Sequence, residues 1–137
     1  IIQNPKRLIL NILKKFPKRY KFVNKKVYIS ILLTSNNKIK LLNKKFRKKN
    51  KPTDILSFPF FDKKSLRKNL KSKKFYLGDI VISYEEFSKQ NKNDYKDGFI
   101  KIFIHGFLHL LSFDHKLDKD YKIMNSIENN IFQKVKG

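Results

Sequence analysis

The 137-residue chain contains no cysteine. This absence excludes disulfide-stapled scaffolds, cysteine-ligated zinc and thiol catalysis together. Any metal ion that the chain binds must therefore be held by nitrogen or oxygen ligands.

Long apolar runs are also missing from the sequence. No stretch reaches the roughly 18 uncharged apolar residues that a membrane span requires. The first apolar segment, residues 8–13, is short and leads directly into Lys14 and Lys15, which is not the order of a secretory signal peptide. We therefore expect a cytoplasmic protein without a membrane partner.

Acidic residues are few, eleven against thirty-three lysines and arginines, so that the formal net charge is +22. A strongly basic surface attracts polyphosphates, which predicts a nucleic acid as partner. The chain also has no alanine and only four arginines against twenty-nine lysines. This bias is typical of A/T-rich codons, so base-composition drift explains the charge about as well as RNA binding does.

The hydrophobic pattern predicts a single domain over residues 1–137 with an α+β or mixed α/β fold, of which we expect the α+β class. Apolar residues recur at helical spacing in some segments and alternate in others. We expect one small mixed β-sheet packed by helices, with the nearly all-apolar helix over 94–111 at the centre. The predicted helices cover residues 5–16, 35–46, 84–89, 94–111 and 118–135, and the predicted strands cover residues 27–33, 53–58 and 76–83.

Residues 62–74 are almost entirely lysine, arginine, serine, asparagine and aspartate. Such a charged stretch with few apolar residues predicts a mobile basic loop.

The three histidines of the chain, His105, His109 and His115, all fall within eleven positions. On a helix, positions i and i+4 share one face, with Cβ atoms roughly 5–6 Å apart. His105 and His109 can therefore share one ion, and His115 supplies a third ligand from beyond the helix end. Three protein ligands leave a tetrahedral zinc ion with one position for water, which is typical of a catalytic site.

The residue after the first histidine distinguishes this pattern from the HExxHxxGxxH metalloproteases. Those enzymes place a glutamate there as the general base, whereas this chain has Gly106. A zinc ion held by three neutral imidazoles keeps its full charge and suits an anionic phosphodiester. The glycine either lets a bulky substrate approach the ion or allows close helix packing.

Four ordered segments resemble the signatures of the YbeY family, which consists of bacterial zinc-dependent endoribonucleases that mature ribosomal RNA. The likeness covers most of the chain from Tyr28 onward. Its segments are residues 105–115, 42–47, 52–59 and 77–83, with Met124 and Glu128 matching the family's final helix.

The resemblance implies one Zn²⁺ ion held by His105, His109, His115 and water. It also implies a functional arginine at Arg47, in a chain that otherwise prefers lysine. The guanidinium is suited to a two-pronged phosphate contact, although a chance surface arginine explains it about equally well. Asp114 either orients a ligand or the water, or caps the final helix.

The expected substrate is a ribosomal RNA precursor, the 16S RNA of the small subunit, and the expected role is maturation and ribosome quality control. Ribosomal proteins of the small subunit are further expected partners. We expect Lys51, Thr53 and Ser57, together with Arg47, to contact the RNA. The attacking group is either water or the ribose 2′-hydroxyl.

Ser112 and Phe113 stand where the family has glycine and tyrosine. If the glycine ends the helix in a left-handed conformation, serine costs about 1–2 kcal/mol there. This cost would bear on the position of His115.

Two other functions fit the histidine spacing. One is a ribosome-assembly factor that binds RNA and has a structural zinc. The other is a zinc peptidase, which Gly106 makes the less favoured interpretation.

Overall fold

The secondary structure follows the predicted order with one addition. A computed structural model describes residues 4–17, 26–69, 72–113 and 117–137, in which the chain forms six helices and three strands. Their bounds are α1 (Pro5–Lys14), β1 (Lys26–Thr34), α2 (Asn36–Arg47), β2 (Ile55–Pro59), α3 (Lys63–Asn69), β3 (Lys74–Ser83), α4 (Tyr84–Gln90), α5 (Tyr95–Leu110) and α6 (Asp118–Lys136).

The three strands form a mixed sheet in the order β1-β3-β2. β3 runs parallel to β1 and antiparallel to β2. Helix α5 packs on one face, where Ile80 and Ile82 of β3 join its core, and α2 packs on the other face through Ile39. The predicted α+β fold with one small mixed sheet is confirmed.

Helix α5 lies at the centre of the core, as its apolar sequence predicts. The Asp94 carboxylate caps it by accepting a 3.0 Å hydrogen bond from the Asp97 amide. Phe99, Phe103 and Phe107, spaced four residues apart, stack along one side with centroid separations of 6.1 and 6.0 Å. Because nearly every face of the helix is covered, its few polar side chains have little freedom of direction.

Helix α6 runs antiparallel to α5 and closes the core with the buried Met124 and Ile131. At one end Lys136 Nζ donates a 2.7 Å hydrogen bond to Asp97, and this contact raises the pKa of Lys136. This exposed pair contributes little to stability. In the same antiparallel register, the middle of α6 lies opposite the histidine end of α5.

The predicted basic loop at residues 62–74 is wrong in its secondary structure, because residues Lys63–Asn69 form α3. The Asp62 carboxylate accepts a 2.7 Å hydrogen bond from the Ser65 amide and so caps this short helix. Leu66 then lies in the core with 8% of its surface exposed. One buried leucine and one cap therefore outweigh the charged composition.

The described residues include no helix that is both long and apolar enough to cross a membrane.

Ser112 ends α5 in a left-handed conformation, with φ of 73°. The Phe113 amide donates to the Leu108 carbonyl at 3.1 Å and the Ser112 amide to the His109 carbonyl at 3.0 Å, which is the Schellman arrangement. The serine hydroxyl is buried, and among the described residues it has no hydrogen-bond partner. The expected left-handed position is confirmed. Ser112 therefore destabilises the fold in two ways, through its left-handed backbone and through its buried hydroxyl.

We predict that Ser112→Gly raises the free energy of unfolding by about 1–2 kcal/mol, because glycine adopts positive φ without strain and removes the buried hydroxyl. Urea denaturation measures this change. Lys48→Gly is the matched control, since Lys48 is also left-handed, with φ of 61°, but is exposed. It should stabilise less than Ser112→Gly. A neutral or destabilising Ser112→Gly beside a stabilising Lys48→Gly would show that neither cost acts at Ser112.

Candidate active site

The two helical histidines face each other at the open end of α5. Nε2 of His105 lies 3.1 Å from Nε2 of His109, and the ring centroids are 4.6 Å apart. Two nitrogen ligands of one tetrahedral zinc ion, each with a bond of about 2.0–2.1 Å, stand roughly 3.3–3.4 Å apart. The observed separation is close to that of a shared ion.

The Nδ1 atom of each ring is held by an oxygen. Nδ1 of His105 lies 2.7 Å from the Glu128 carboxylate of α6. Nδ1 of His109 lies 2.9 Å from the backbone carbonyl of Phe113. A carbonyl and an ionised carboxylate only accept hydrogen bonds, so both Nδ1 atoms carry the proton in these contacts.

This proton placement decides what the two Nε2 atoms can do. A neutral imidazole that is protonated on Nδ1 presents a lone pair at Nε2. The short Nε2–Nε2 separation therefore brings two lone pairs together, and a cation or an added proton between them makes the arrangement favourable. Oxygen partners on the far nitrogen are typical of metal-binding histidines. The donor set thus fits a divalent metal ion.

The predicted third ligand, His115, and its neighbour Asp114 lie outside the described residues. Among the residues that are described, no group of three or more histidine, cysteine, aspartate or glutamate side chains is arranged to hold a metal. Of the three predicted metal ligands, His105 and His109 are therefore the two that the structure shows together.

A cleft of about 1040 Å³ opens in front of the two histidines. α5 forms one wall, and β2 with the segment that precedes it forms another. The cations that line it outnumber its acids. The lining includes Arg47, Lys49, Lys51, Lys101, Asp54, Glu86, Thr53, Ser57, His105 and His109. The predicted site residues that the structure describes thus share one cleft.

Arg47 lines this cleft and is anchored to β2. Its Nη2 donates a 2.6 Å hydrogen bond to the Ser57 carbonyl of β2, and its guanidinium carbon lies 5.4 Å from the centre of the Phe58 ring. A guanidinium has five N–H donors, so a single carbonyl contact leaves capacity to bind an anion.

The segment between α2 and β2 is held against the cleft by Asn43. This residue is 3% exposed, and its side-chain amide donates a 2.9 Å hydrogen bond to the Lys51 carbonyl. The bond fixes the backbone beside Lys51 and Thr53. Both predicted substrate-contact residues therefore have a defined place at the rim.

Gly106 faces β2 and not the cleft. A Cβ atom there would lie 2.7 Å from Cδ1 of Ile55 and 3.1 Å from Oγ of Ser57. Of the two expected roles, close packing is the one the structure supports. The metalloprotease glutamate has no room at this position, so its general base is missing from this arrangement.

Ser57 takes part in the same contact between β2 and α5. Its hydroxyl donates a 3.0 Å hydrogen bond to the Gly106 carbonyl, and only 8% of the residue is exposed. The contact ties β2 to α5 just beside the histidines. It gives Ser57 a positioning role and leaves its hydroxyl proton committed within the protein.

Glu128 is the site residue that the sequence reasoning missed, since it was matched only to the family's final helix. Met124, Glu128 and Ile131 follow each other at i, i+4 and i+7, which places them on one stripe of α6. A carboxylate within a buried apolar stripe is the signal that identifies such a residue before the structure is known.

Comparison with known proteins identifies the family of the chain. The family described as Endoribonuclease YbeY matches residues 2–136. The endoribonuclease YbeY of Pelagibacter ubique (strain HTCC1062) is 51% identical over 139 residues, which cover 98% of this chain and 87% of that protein. The endoribonuclease YbeY of Persephonella marina is 39% identical over 115 residues, which cover 81% and 72%.

The fold also has a solved relative. The solution structure of TM1509 from Thermotoga maritima superposes with a TM-score of 0.57 at 28% identity, covering 97% of this chain and 79% of that one. Sequence and fold thus define the class of protein, a hydrolase that acts on RNA. The chain belongs to the endoribonuclease YbeY family.

We predict that Glu128→Ala lowers the fraction of His105 that is protonated on Nδ1, because the carboxylate that stabilises that tautomer is lost. Ring-nitrogen NMR shifts of His105 measure the tautomer directly. Asp120→Ala is the control, since it removes the same charge from the first turn of α6. An unchanged His105 tautomer in Glu128→Ala would show that the 2.7 Å contact does not set it.

Proposed function

We propose that this chain is a zinc-dependent, single-strand-specific endoribonuclease that matures 16S ribosomal RNA and serves in ribosome quality control. The observation that carries the proposal is the 3.1 Å separation of the His105 and His109 Nε2 atoms, with both Nδ1 atoms engaged by oxygens. Membership of an endoribonuclease family supports RNA as the substrate. The action on ribosomal RNA, the small-subunit proteins as partners and the cytoplasmic location stay predictions from the sequence.

One zinc ion with three histidine ligands and water is the proposed metal centre. His105 and His109 supply two ligands through Nε2, and His115 is proposed as the third. The chain has no cysteine, so the site relies on imidazoles, which suit zinc well. When bound, zinc supplies Lewis-acid stabilisation of negative charge and promotes deprotonation of water.

The residues of the chain perform the remaining tasks. Glu128 holds the proton on Nδ1 of His105, and the Phe113 carbonyl does the same for His109, so that both Nε2 atoms would be able to bind a metal ion. Arg47 faces the same cleft and stabilises the charge that develops on the phosphate oxygens. Asp114 is proposed as a further carboxylate that orients a ligand or the water.

Binding of the RNA backbone is assigned to the cations of the cleft. Lys51 and Thr53 lie on the segment that Asn43 holds at the cleft, where they can contact RNA phosphates. Ser57 is proposed to contribute mainly by fixing β2 against α5, because its hydroxyl donates a hydrogen bond to the Gly106 carbonyl.

The attacking group is either the ribose 2′-hydroxyl or water. Analysis of product ends separates the two, because attack by the 2′-hydroxyl leaves a 2′,3′-cyclic phosphate.

We predict that Arg47→Lys keeps the zinc content but lowers kcat/KM for a single-stranded RNA by roughly 10²-fold, because an ammonium cannot reproduce the planar guanidinium contact. Zinc is measured by elemental analysis and cleavage by gel assay. Arg7→Lys, on the exposed face of α1, is the matched control and should cleave like wild type. Wild-type cleavage by Arg47→Lys would remove Arg47 from the proposed reaction.

We predict further that His109→Ala loses both the zinc and the cleavage activity, since it removes one of the two Nε2 ligands that α5 supplies. Parallel measurement of metal content and cleavage tests this expectation. A zinc-free His109→Ala protein that still cleaves RNA at the wild-type rate would contradict the proposed function. Zinc loss with normal RNA binding would support it.

A further inference from the structure

Strand β3 contains a bulge that changes which of its residues face the core. The pairing with β1 passes from Tyr28–Tyr76 to Ile29–Gly78, so Leu77 is the extra residue. Phe75 and Leu77 face the core beneath the sheet, and because of the bulge the core-facing residues beyond it are Ile80 and Ile82. Tyr28 and Tyr76 are left on the opposite face, on the same side as α2.

Helix α2 covers only one end of that face. Its Ile39 packs against Leu56 and Val81, with Phe58 partly buried beside them. Past Phe58 no described helix packs on the face, and Phe60 is 64% exposed. The covered end of the face thus gives way to uncovered aromatic residues.

Three aromatic side chains line this open end, and we call Tyr28, Tyr76 and Phe60 the aromatic platform. Tyr28 and Tyr76 are direct neighbours across the two parallel strands, and the Phe60 ring lies 5.7 Å from the Tyr76 ring. Tyr28 is 46% exposed, whereas Tyr76, between Tyr28 and Phe60, is partly buried. Single exposed aromatic residues are common on proteins, but a contiguous exposed group is typical of a binding surface.

Two lysines extend the aromatic platform along the same face. Lys26 and Lys74 are paired in register directly beside Tyr28 and Tyr76, and both are exposed. Like charges opposite each other on neighbouring strands destabilise a sheet. Lys74 Nζ also lies 5.4 Å from the Tyr28 ring centre. A bound polyanion would relieve this repulsion, while a basic protein would increase it.

The aromatic platform is continuous with the cleft. Phe60 follows directly after β2, and its ring contact with Tyr76 places it on the same face as Phe58. The Phe58 ring contacts Phe46 of α2 at 5.2 Å and lies beside the guanidinium of Arg47. Arg47 lines the cleft with the two histidines. An aromatic and basic track thus leads from the open sheet face to the proposed site of cleavage.

We propose that the aromatic platform binds single-stranded RNA outside the cleft, with unpaired bases stacked on its rings and phosphates on Lys26 and Lys74. This inference rests on the proposed endoribonuclease function. Only unpaired bases expose both ring faces for stacking on aromatic side chains, whereas a duplex keeps its bases stacked on each other. Asp79, the acidic residue paired with Phe58, lies on the same face but at the end nearer α2.

The main test measures binding of a short single-stranded 2′-O-methyl oligouridine to the full-length, zinc-loaded protein by fluorescence anisotropy. Tyr28→Ser combined with Phe60→Ser removes two exposed rings and should weaken binding about tenfold or more. Tyr84→Ser is the matched control, because Tyr84 is 54% exposed and lies on α4. It should change the affinity by less than about twofold. Circular dichroism of each variant checks its fold.

Two further readouts distinguish stacking from charge. The chain contains no tryptophan, so Tyr28→Trp introduces a single indole, whose fluorescence should be quenched when a base stacks on it. Lys26→Gln combined with Lys74→Gln should flatten the dependence of log affinity on log salt by about 1.4. Lys122→Gln combined with Lys134→Gln, on exposed positions of α6, is the charge-matched control.

Wild-type affinity in the Tyr28→Ser and Phe60→Ser variant would overturn the proposal, and so would an unquenched indole in Tyr28→Trp. Equal affinity for an RNA duplex of the same length would overturn it as well, because stacking would then play no part. If this variant binds RNA normally but no longer binds a protein partner, the aromatic platform is a protein-binding surface and the proposal is wrong. Cleavage of unmodified RNA by the wild type is assayed separately, so failure of the proposed function would be recognised independently.

Discussion

The candidate site depends on the hydrogen bonds that the Nδ1 atoms of His105 and His109 make. Glu128 and the Phe113 carbonyl both accept a hydrogen bond from Nδ1, which leaves two Nε2 lone pairs 3.1 Å apart. Such an approach is unfavourable without a positive charge between the rings. Each oxygen is supplied by a different part of the fold, so the proposed metal site depends on the packing of α6 against α5 and on the turn that ends α5.

Three features of the fold hold this arrangement in place. The register of α6 against α5 brings Glu128 to His105, and the left-handed Ser112 turns the chain so that the Phe113 carbonyl reaches His109. Gly106 lets β2 approach α5 closely, and β2 in turn carries the carbonyl that anchors Arg47. The strain at Ser112 is therefore a cost that the fold bears at a residue beside the site.

Much of this could be predicted from the sequence, for physical reasons that differ between elements. Helix α5 was predictable because its apolar residues extend over sixteen positions and a capping aspartate precedes them. Helix α3 was missed because its one buried leucine is surrounded by charges. The pairing of β1 with β3 and the bulge at Leu77 could not be inferred, since they depend on contacts between distant segments. Glu128 was hidden for the same reason, being 23 residues from His105.

X-ray absorption at the zinc edge of the purified protein tests the central claim most directly, because it reports the atoms around the ion without reference to activity. We predict nitrogen and oxygen neighbours at about 2.0–2.1 Å together with the outer-shell scattering of at least two imidazole rings. A protein that carries no zinc, or a spectrum with oxygen neighbours and no imidazole scattering, would contradict the claim that the two histidines share a metal ion.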